Sequence, residues 1–172
     1  MNKFGSSLVT FLLLINTLYL VGQVQKIAVA EVHFEFVSKG VKGTLSGFSS
    51  SSEIHPRQIE KSIFRGQVES KTLDTNNGLR NWSLRGRKYF NVDEFPYISF
   101  HSTEVNMETN AILVKGMLTI KEVTKPVLIT FNRNGKELNG SFDINSMDYG
   151  IKIKKNRGDN LVKVRLKLEL HE

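Results

Sequence analysis

Few of the side chains that usually carry catalysis stand at catalytic spacing in this sequence. The four histidines, His33, His55, His101 and His171, are scattered, and no HExxH pair or similar metal-ligand spacing occurs. No serine lies in a G-x-S-x-G turn, no phosphate-binding loop is present, and the lack of cysteine removes thiolate chemistry. We therefore expect no catalytic residues, no metal and no cofactor. A hydrolase, which needs two inward ionisable groups at one mouth of the fold, is the least favoured function.

Basic residues form the second chemically active pattern. The chain of 172 residues has a formal net charge of +7, and Lys and Arg cluster at 85–88 and at 152–157. The second cluster contains Lys152, Lys154, Lys155 and Arg157. Solvated loops explain both clusters; the alternative is attraction to an anionic surface such as lipid headgroups. No basic and aromatic stacking array occurs, so nucleic acid is not an expected partner.

Strands must position these residues, because alternation with a period of two dominates the chain. After Pro96, Ile98 and Phe100 point one way while Ser99 and His101 point the other. His33 alternates with apolar neighbours in the same manner, so we expect both histidines on a solvent-facing outer wall. Eight or nine such strands, two short helical turns and regular turn signals predict an all-β antiparallel barrel or sandwich.

Glycine, proline and polar residues predict the connections between the strands. We expect a glycine-spaced turn at 40–47 and one helical turn after Pro56. Later in the chain we expect a long polar loop at 73–84, a turn at 122–126 and a hairpin loop at 132–140.

The N-terminus has the pattern of a signal peptide. Lys3 is followed by the apolar run 8–21, and Gly22 is a small residue suited to a cleavage site, with Ala28-Val29-Ala30 as an alternative. A retained membrane anchor is the other interpretation. We expect residues 1–22 to be removed and 23–172 to form a single domain. Export without disulfides indicates a periplasmic or secreted protein.

Two stretches carry a resemblance to a known family. Residues 90–105 read FNVDEFPYISFHSTEV and residues 116–131 read GMLTIKEVTKPVLITF, and both resemble motifs of the YceI-like family of small secreted proteins. Residues 142–150 resemble a later motif, with Ser146 in place of an arginine. The resemblance spans nearly the whole mature chain. It implies an extended, lipocalin-like eight-stranded barrel that binds polyisoprenoid lipids.

The polar segment at 73–84 also resembles a family motif. Asp74, Thr75, Arg80 and Leu84 match it, whereas Asn81 and Ser83 stand where an aspartate and a histidine are usual. An active-site cluster is one interpretation of these residues. We favour the other, in which a charged pair and side-chain hydrogen bonds hold this loop over one end of the barrel.

The inward columns of such a barrel predict the ligand site. The residues expected to line it are Phe34, Phe36, Phe64, Gly66, Val68, Ile98, Phe100, Gly116, Leu118, Ile120, Phe131, Val164 and Leu166. The small residues Gly66, Gly116 and Ser102 would leave room for a ligand. In the opposing interpretation the glycines mark bulges and the aromatic side chains fill the core.

We therefore expect the protein to bind a polyisoprenoid or similar long apolar lipid, such as an isoprenoid quinone, as a carrier or sequestering protein. Each buried CH₂ contributes about 0.8 kcal/mol, so one prenyl unit contributes about 4 kcal/mol. The alternative is a basic extracytoplasmic module with a filled barrel that contacts an anionic membrane surface. A homodimer could form by strand pairing near Pro96 or along the C-terminal strand.

Overall fold

The structure, a computed structural model, describes residues 24–171, and the predicted signal peptide at 1–22 lies outside the described residues. Eight antiparallel strands close into a barrel in chain order. They are β1 (Lys26–Phe36), β2 (Val41–Ser50), β3 (Arg65–Asp74), β4 (Tyr97–Glu108), β5 (Ala111–Ile120), β6 (Val123–Asn134), β7 (Glu137–Asn145) and β8 (Leu161–His171). This confirms the predicted eight-stranded antiparallel barrel.

The barrel closes where the first strand meets the last. β1 pairs with β8 along its length, from Lys26 opposite His171 to Phe36 opposite Val162. β8 also pairs with β7, so its backbone hydrogen-bonding groups are used on both sides. The expectation that the C-terminal strand offers a free edge for dimerisation is therefore wrong.

Two predicted connections are much shorter in the structure, because the strands run further than composition suggested. Gly40, with φ +59, makes the turn between β1 and β2, and β2 begins at the next residue. The predicted loop at 132–140 reduces to Gly135 and Lys136, and Gly135 has φ +60. Asparagine and glycine in the flanking stretches lie in strands, where cross-strand pairing overrides their turn propensity.

The predicted turn at 122–126 is also shorter. β6 begins at Val123, and Pro126 lies within it opposite Met117 of β5. On the other side of β6, pairing with β7 begins only at Thr130. Because β7 does not pair with β6 at Pro126, the missing N–H of this residue costs no hydrogen bond on that side.

The predicted loop at 73–84 contains a helix, α1 (Gly78–Arg85). Its N-cap is Asn77, whose side chain accepts a hydrogen bond of 2.9 Å from the Arg80 N–H. The helical turn expected after Pro56 is a 3₁₀ turn at Ile59–Lys61. Further 3₁₀ turns occupy Val37–Lys39, Ser146–Tyr149 and Arg157–Asn160. None of the helices within residues 24–171 combines the length and apolar character of a membrane span.

The connections divide between two ends of the barrel, because an up-and-down topology alternates them. One end, here called the helix end, carries 37–40, 75–96 with α1, 121–122 and 146–160. The other, here called the plug end, carries 51–64, 109–110 and 135–136.

The plug end is sealed by the segment 51–64. Ile54, Ile59 and Phe64 of this segment are 0%, 4% and 3% exposed and join the main buried cluster. The ring of Phe64 stacks on that of Phe131, with centroids 5.5 Å apart. The segment therefore fills this end of the barrel with apolar side chains, whose burial stabilises the fold.

Candidate functional site: the barrel interior

An apolar cavity of about 180 Å³ lies inside the barrel. Its surface consists almost entirely of apolar atoms. Within residues 24–171, no aspartate, glutamate or histidine lines it. The side chains of the barrel therefore do not fill its interior completely, whereas the filled-barrel interpretation requires that they do.

Eleven of the thirteen residues expected to face the ligand lie on the cavity wall. They are Phe34, Phe64, Gly66, Val68, Ile98, Phe100, Leu118, Ile120, Phe131, Val164 and Leu166. Phe36 and Gly116 are not on the wall. Phe36 is buried where β1 ends, and Gly116 lies beneath the ring of Phe100. Contact of the eleven with a ligand remains a prediction.

Several wall residues were not among those predicted to line the ligand site. They include Ile27, Ala30, Val32, Leu45, Phe48, Phe90, Ile129, Phe142, Ile144, Val162 and Leu168. The alternation in β1, β7 and β8 continues through most of these positions, so extending the columns would have found them.

The wall residues of β2 follow a different spacing. Leu45 and Phe48 both line the cavity although they are three positions apart. Between them Gly47 has φ +68, and the β2–β3 register shifts between Ser46 and Ser49. A bulge adds one residue and reverses which side chains point inward, so a strict period of two fails here.

Inward phenylalanine rings pack against glycines of the next strand. The pairs are Phe34 with Gly43, Phe48 with Gly66, Phe100 with Gly116, and Phe131 with Gly140. A Cβ at Gly43, Gly116 or Gly140 would collide with the ring, and one at Gly66 would lie 3.0 Å from Phe48 Cε2. These glycines therefore hold rings against the wall. This corrects the expectation that Gly66 and Gly116 leave their space to the ligand.

The two sides of the wall differ in packing. The wall residues of β5 and β6, among them Leu118, Ile129 and Phe131, are buried. Those of β1 and β2, among them Phe34 and Leu45, are only half-buried although they point inward. The wall is therefore less tightly packed along β1 and β2, which we call the open side, than along β5 and β6, which we call the packed side.

The cavity is small for a long ligand. An apolar cavity of about 150 Å³ accepts one benzene ring, whereas pockets for drug-sized ligands span about 300–1,000 Å³. A volume of about 180 Å³ thus accommodates a short apolar group without rearrangement. A longer chain requires movement of half-buried side chains such as Phe34 and Phe142, or must project from the barrel.

Hydrogen bonds hold α1 over the helix end. Asn81, which is buried, accepts from the Thr75 N–H and hydroxyl at 2.9 and 2.7 Å and donates to Asp74 at 2.7 Å. The Arg85 guanidinium donates to the Leu73 carbonyl at 2.7 Å. The bond from Asn81, together with the nearby Arg85 charge, lowers the pKa of Asp74. The predicted hydrogen-bonded attachment of this segment is confirmed.

Two polar expectations at this end need correction. Arg80, expected in a charged pair, is exposed and belongs to no ion pair of the described residues, so Arg85 is the cation near Asp74. Arg157, counted with the free basic cluster, forms a two-bond ion pair with Asp148 at 2.6 and 2.9 Å. The Arg157 bonds lower the pKa of Asp148.

Outside the cavity, polar side chains show no catalytic grouping. His33 and His101 are exposed on the outer wall, as predicted, and His33 lies 3.4 Å from Glu31. A second depression is lined by residues of β2–β4 and the adjoining Ser51, among them Arg65 and His101. In the part of the chain that the structure describes, no group of three metal-ligating side chains could hold a metal ion.

Comparison with known proteins identifies related sequences. A family model described as the YceI-like domain matches residues 22–171. A UPF0312 protein of Photorhabdus laumondii is 33% identical over 94 residues, which are 55% of this chain and 49% of that protein. A UPF0312 protein of Yersinia pestis is 38% identical over 94 residues, with the same coverage. The chain spans about half the length of the curated relatives it matches.

Solved structures share the fold. BcnA of Burkholderia cenocepacia superimposes with a TM-score of 0.70 at 18% identity, covering 86% of this chain and 99% of that one. A Campylobacter jejuni YceI protein superimposes with a TM-score of 0.65 at 16% identity, covering 77% of this chain and 85% of that one. A Saccharophagus degradans domain superimposes with a TM-score of 0.57 at 11% identity, covering 86% of this chain and 97% of that one. It is described as a polyisoprenoid-binding domain implicated in plant cell wall breakdown. At these identities the similarity concerns the fold alone.

Proposed function

Because the chain belongs to the YceI-like domain family, we propose that its barrel binds a polyisoprenoid or similar long apolar lipid, such as an isoprenoid quinone. It acts as a carrier or sequestering protein in the periplasm or outside the cell. The observation that carries the proposal is the apolar cavity of about 180 Å³ inside the barrel.

The chemistry of the wall supports an apolar ligand. A charged or strongly polar ligand would lose its hydration there and find few partners, at a cost of several kcal/mol. An apolar chain loses nothing comparable and gains about 0.8 kcal/mol for each CH₂ it buries. The Saccharophagus degradans neighbour, described as a polyisoprenoid-binding domain, agrees with this ligand class.

The size of the cavity suggests how a long chain enters. The first apolar group takes the existing space, and each further prenyl unit must displace half-buried rings. About 4 kcal/mol gained per prenyl unit exceeds the roughly 0.5–1.5 kcal/mol of an off-rotamer side chain. A chain of several units therefore remains favourable after the rings have moved.

The composition of the same wall supports binding rather than catalysis. Acid–base or nucleophilic catalysis needs an ionisable or nucleophilic group within about 3 Å of the bound substrate. Among residues 24–171 the cavity offers no carboxylate or imidazole for that role. The export signal read from 1–22 supports the proposed location outside the cytoplasm.

Native mass spectrometry of protein purified from a bacterial host tests the proposal. We expect an additional mass that corresponds to an apolar lipid, released by organic solvent and identified in the extract. Protein that stays ligand-free even when isoprenoid quinones are offered would overturn the proposed function.

A matched pair of substitutions in β1 locates the ligand. Ala30 lines the cavity, whereas Ala28, two positions away, is exposed. Ala30→Phe should fill the free space and lower lipid occupancy at least about tenfold, the effect of losing roughly two buried CH₂ groups. Ala28→Phe should keep the wild-type occupancy. Equal occupancy in both variants would place the lipid outside the barrel.

A further inference from the structure

We propose that the helix end of the barrel docks on the surface of an anionic lipid bilayer, with Leu79 and Trp82 of α1 entering the membrane interface. The proposal concerns the outer surface of the protein. It does not depend on which molecule the cavity takes.

The apolar part of this surface is the outer face of α1. Leu79 and Trp82 are 78% and 75% exposed, the largest values among the big apolar side chains of the described residues. Three positions apart on a helix, they share one face. Val37, in the connection between β1 and β2 at the same end, is 38% exposed. Tryptophan is suited to the boundary between headgroups and acyl chains, because its ring is apolar and its N–H remains hydrated.

Positive charge surrounds this apolar face. The four connections of the helix end contain ten Lys and Arg residues and five Asp and Glu residues, a net charge of +5. The three connections of the plug end contain three Lys and Arg residues and two Asp and Glu residues, a net charge of +1. Each basic residue close to an anionic membrane contributes about 1 kcal/mol of attraction in the general case. The charge of the barrel is therefore concentrated at the end that carries the exposed tryptophan.

Much of this charge is not neutralised by an acidic side chain. Arg80, Arg87 and Lys88 form no ion pair in the described part of the chain, and residues 78–92 contain no acidic side chain. Contact with the Lys39 ammonium, on a different connection, lowers the pKa of Lys154. Two adjacent ammonium groups repel each other, and a layer of phosphate groups would neutralise both.

The distribution of the charge favours a bilayer over a protein partner. The unpaired basic residues are on three separate connections around the barrel rim, so they form a broad ring. Such a ring fits a plane of identical headgroups with acyl chains behind them. A protein partner would need matching acidic residues at each position.

The docking segment is also part of the cavity. Phe90 lines the cavity, and its N–H donates to the Leu84 carbonyl at 2.9 Å, which ties it to α1. One segment therefore contacts the cavity on its inner side and presents Leu79 and Trp82 on its outer side. Docking through α1 would bring this cap of the cavity to the bilayer.

The fluorescence of Trp82 tests the proposal directly, because it is the only tryptophan in the chain. With phosphatidylglycerol vesicles we expect a blue shift of its emission and quenching by lipids brominated on their acyl chains. Vesicles of pure phosphatidylcholine should give a much smaller shift, and high salt should weaken the response. An unchanged spectrum at saturating phosphatidylglycerol would overturn the proposal.

Co-sedimentation with the same vesicles separates the apolar and charged parts. Leu79→Ser combined with Trp82→Ser should lower partitioning at least about tenfold, because two apolar side chains no longer enter the interface. Arg87→Gln combined with Lys88→Gln should lower it and reduce its salt dependence.

Matched controls lie elsewhere on the barrel. Leu128→Ser removes an apolar side chain that is 47% exposed on β6, and Arg57→Gln with Lys61→Gln removes two charges at the plug end. Both controls should partition like wild type. Equal losses in the controls would contradict docking through the helix end. A lipid-independent blue shift that grows with protein concentration would identify a second copy of the chain as the occupant instead.

Discussion

The packed side and the open side of one barrel show how the same strand pattern yields both a core and a cavity. On β5 and β6, inward residues such as Val114 and Phe131 are 0% and 1% exposed and pack against the plug segment. On β1 and β2, residues of similar size, such as Phe34 and Leu45, stay half-buried around free space.

Stability and binding are therefore assigned to different sides. Apolar side chains near the plug contribute most to the free energy of unfolding, because they are almost completely buried. Those on the open side contribute less to folding and remain available to a ligand. Substitutions on each side test this difference in stability and binding.

The largest expected effect comes from truncating a phenylalanine on each side. Phe131→Ala should lower the free energy of unfolding by about 3–5 kcal/mol, because Phe131 is buried and stacks on Phe64. Phe34→Ala, on the open side and half-buried, should cost less than half as much. Denaturant titrations of both variants measure the difference. Equal costs would remove the distinction between the two sides.

The next effect concerns the attachment of the plug segment. Ser52 is buried, and its hydroxyl accepts from the Arg65 N–H at 2.8 Å and donates to the Arg65 carbonyl at 3.0 Å. Ser52→Ala should cost about 1–3 kcal/mol and accelerate hydrogen exchange in 51–64. The neighbouring exposed residue provides the control, and Ser51→Ala should change neither quantity. Unchanged exchange in the Ser52 variant would show that apolar packing alone holds the plug.

A smaller effect is expected at Tyr149, which is buried at the helix end. Its hydroxyl has no hydrogen-bond partner among the described residues, and burial raises its pKa to about 12. Tyr149→Phe should therefore leave the free energy of unfolding at pH 7 unchanged or raise it by up to about 1 kcal/mol.

The pH dependence gives a second measurement on the same variant. The unfolded chain releases the Tyr149 proton near pH 10, while the folded chain retains it until about pH 12. Wild type should lose stability across that interval, and Tyr149→Phe should lose less. Parallel curves for the two proteins would contradict the burial of a neutral hydroxyl.

The smallest effect belongs to the ion pair between Asp148 and Arg157. The pKa of Asp148 is lowered in the folded state, so its contribution is present above the unfolded value near 4 and disappears as pH falls through the folded value. Because the pair is substantially exposed, Asp148→Asn should cost about 0.5 kcal/mol at pH 7 and less at pH 2. Thermal unfolding at both pH values checks this, and a pH-independent cost would assign it to packing instead.

The sequence predicted the regular parts of the barrel and most of its wall. β8 could be read almost residue by residue, since Val162 to Leu170 alternate without interruption and the structure places the strand at Leu161–His171. The resemblance of residues 90–105 and 116–131 to family motifs selected a barrel over a sandwich.

The features that the sequence did not reveal depend on register or on local capping. The contacts of Phe34 with Gly43 and of Phe131 with Gly140 require knowing which strand positions face each other, and alternation alone does not specify that. The bulge at Gly47 reverses the inward positions of β2. Helix α1 depends on the Asn77 cap and on the Asn81 hydrogen bonds rather than on apolar periodicity.

Binding of isoprenoid alcohols of increasing chain length by wild-type protein tests the central claim most directly. If the open side holds the chain, affinity should increase with each prenyl unit until the rings can move no further. The Ala28→Phe variant should follow the same series, and Ala30→Phe should lose most of the increase. An affinity that is independent of chain length, or equal in all three proteins, would contradict a ligand site inside the barrel.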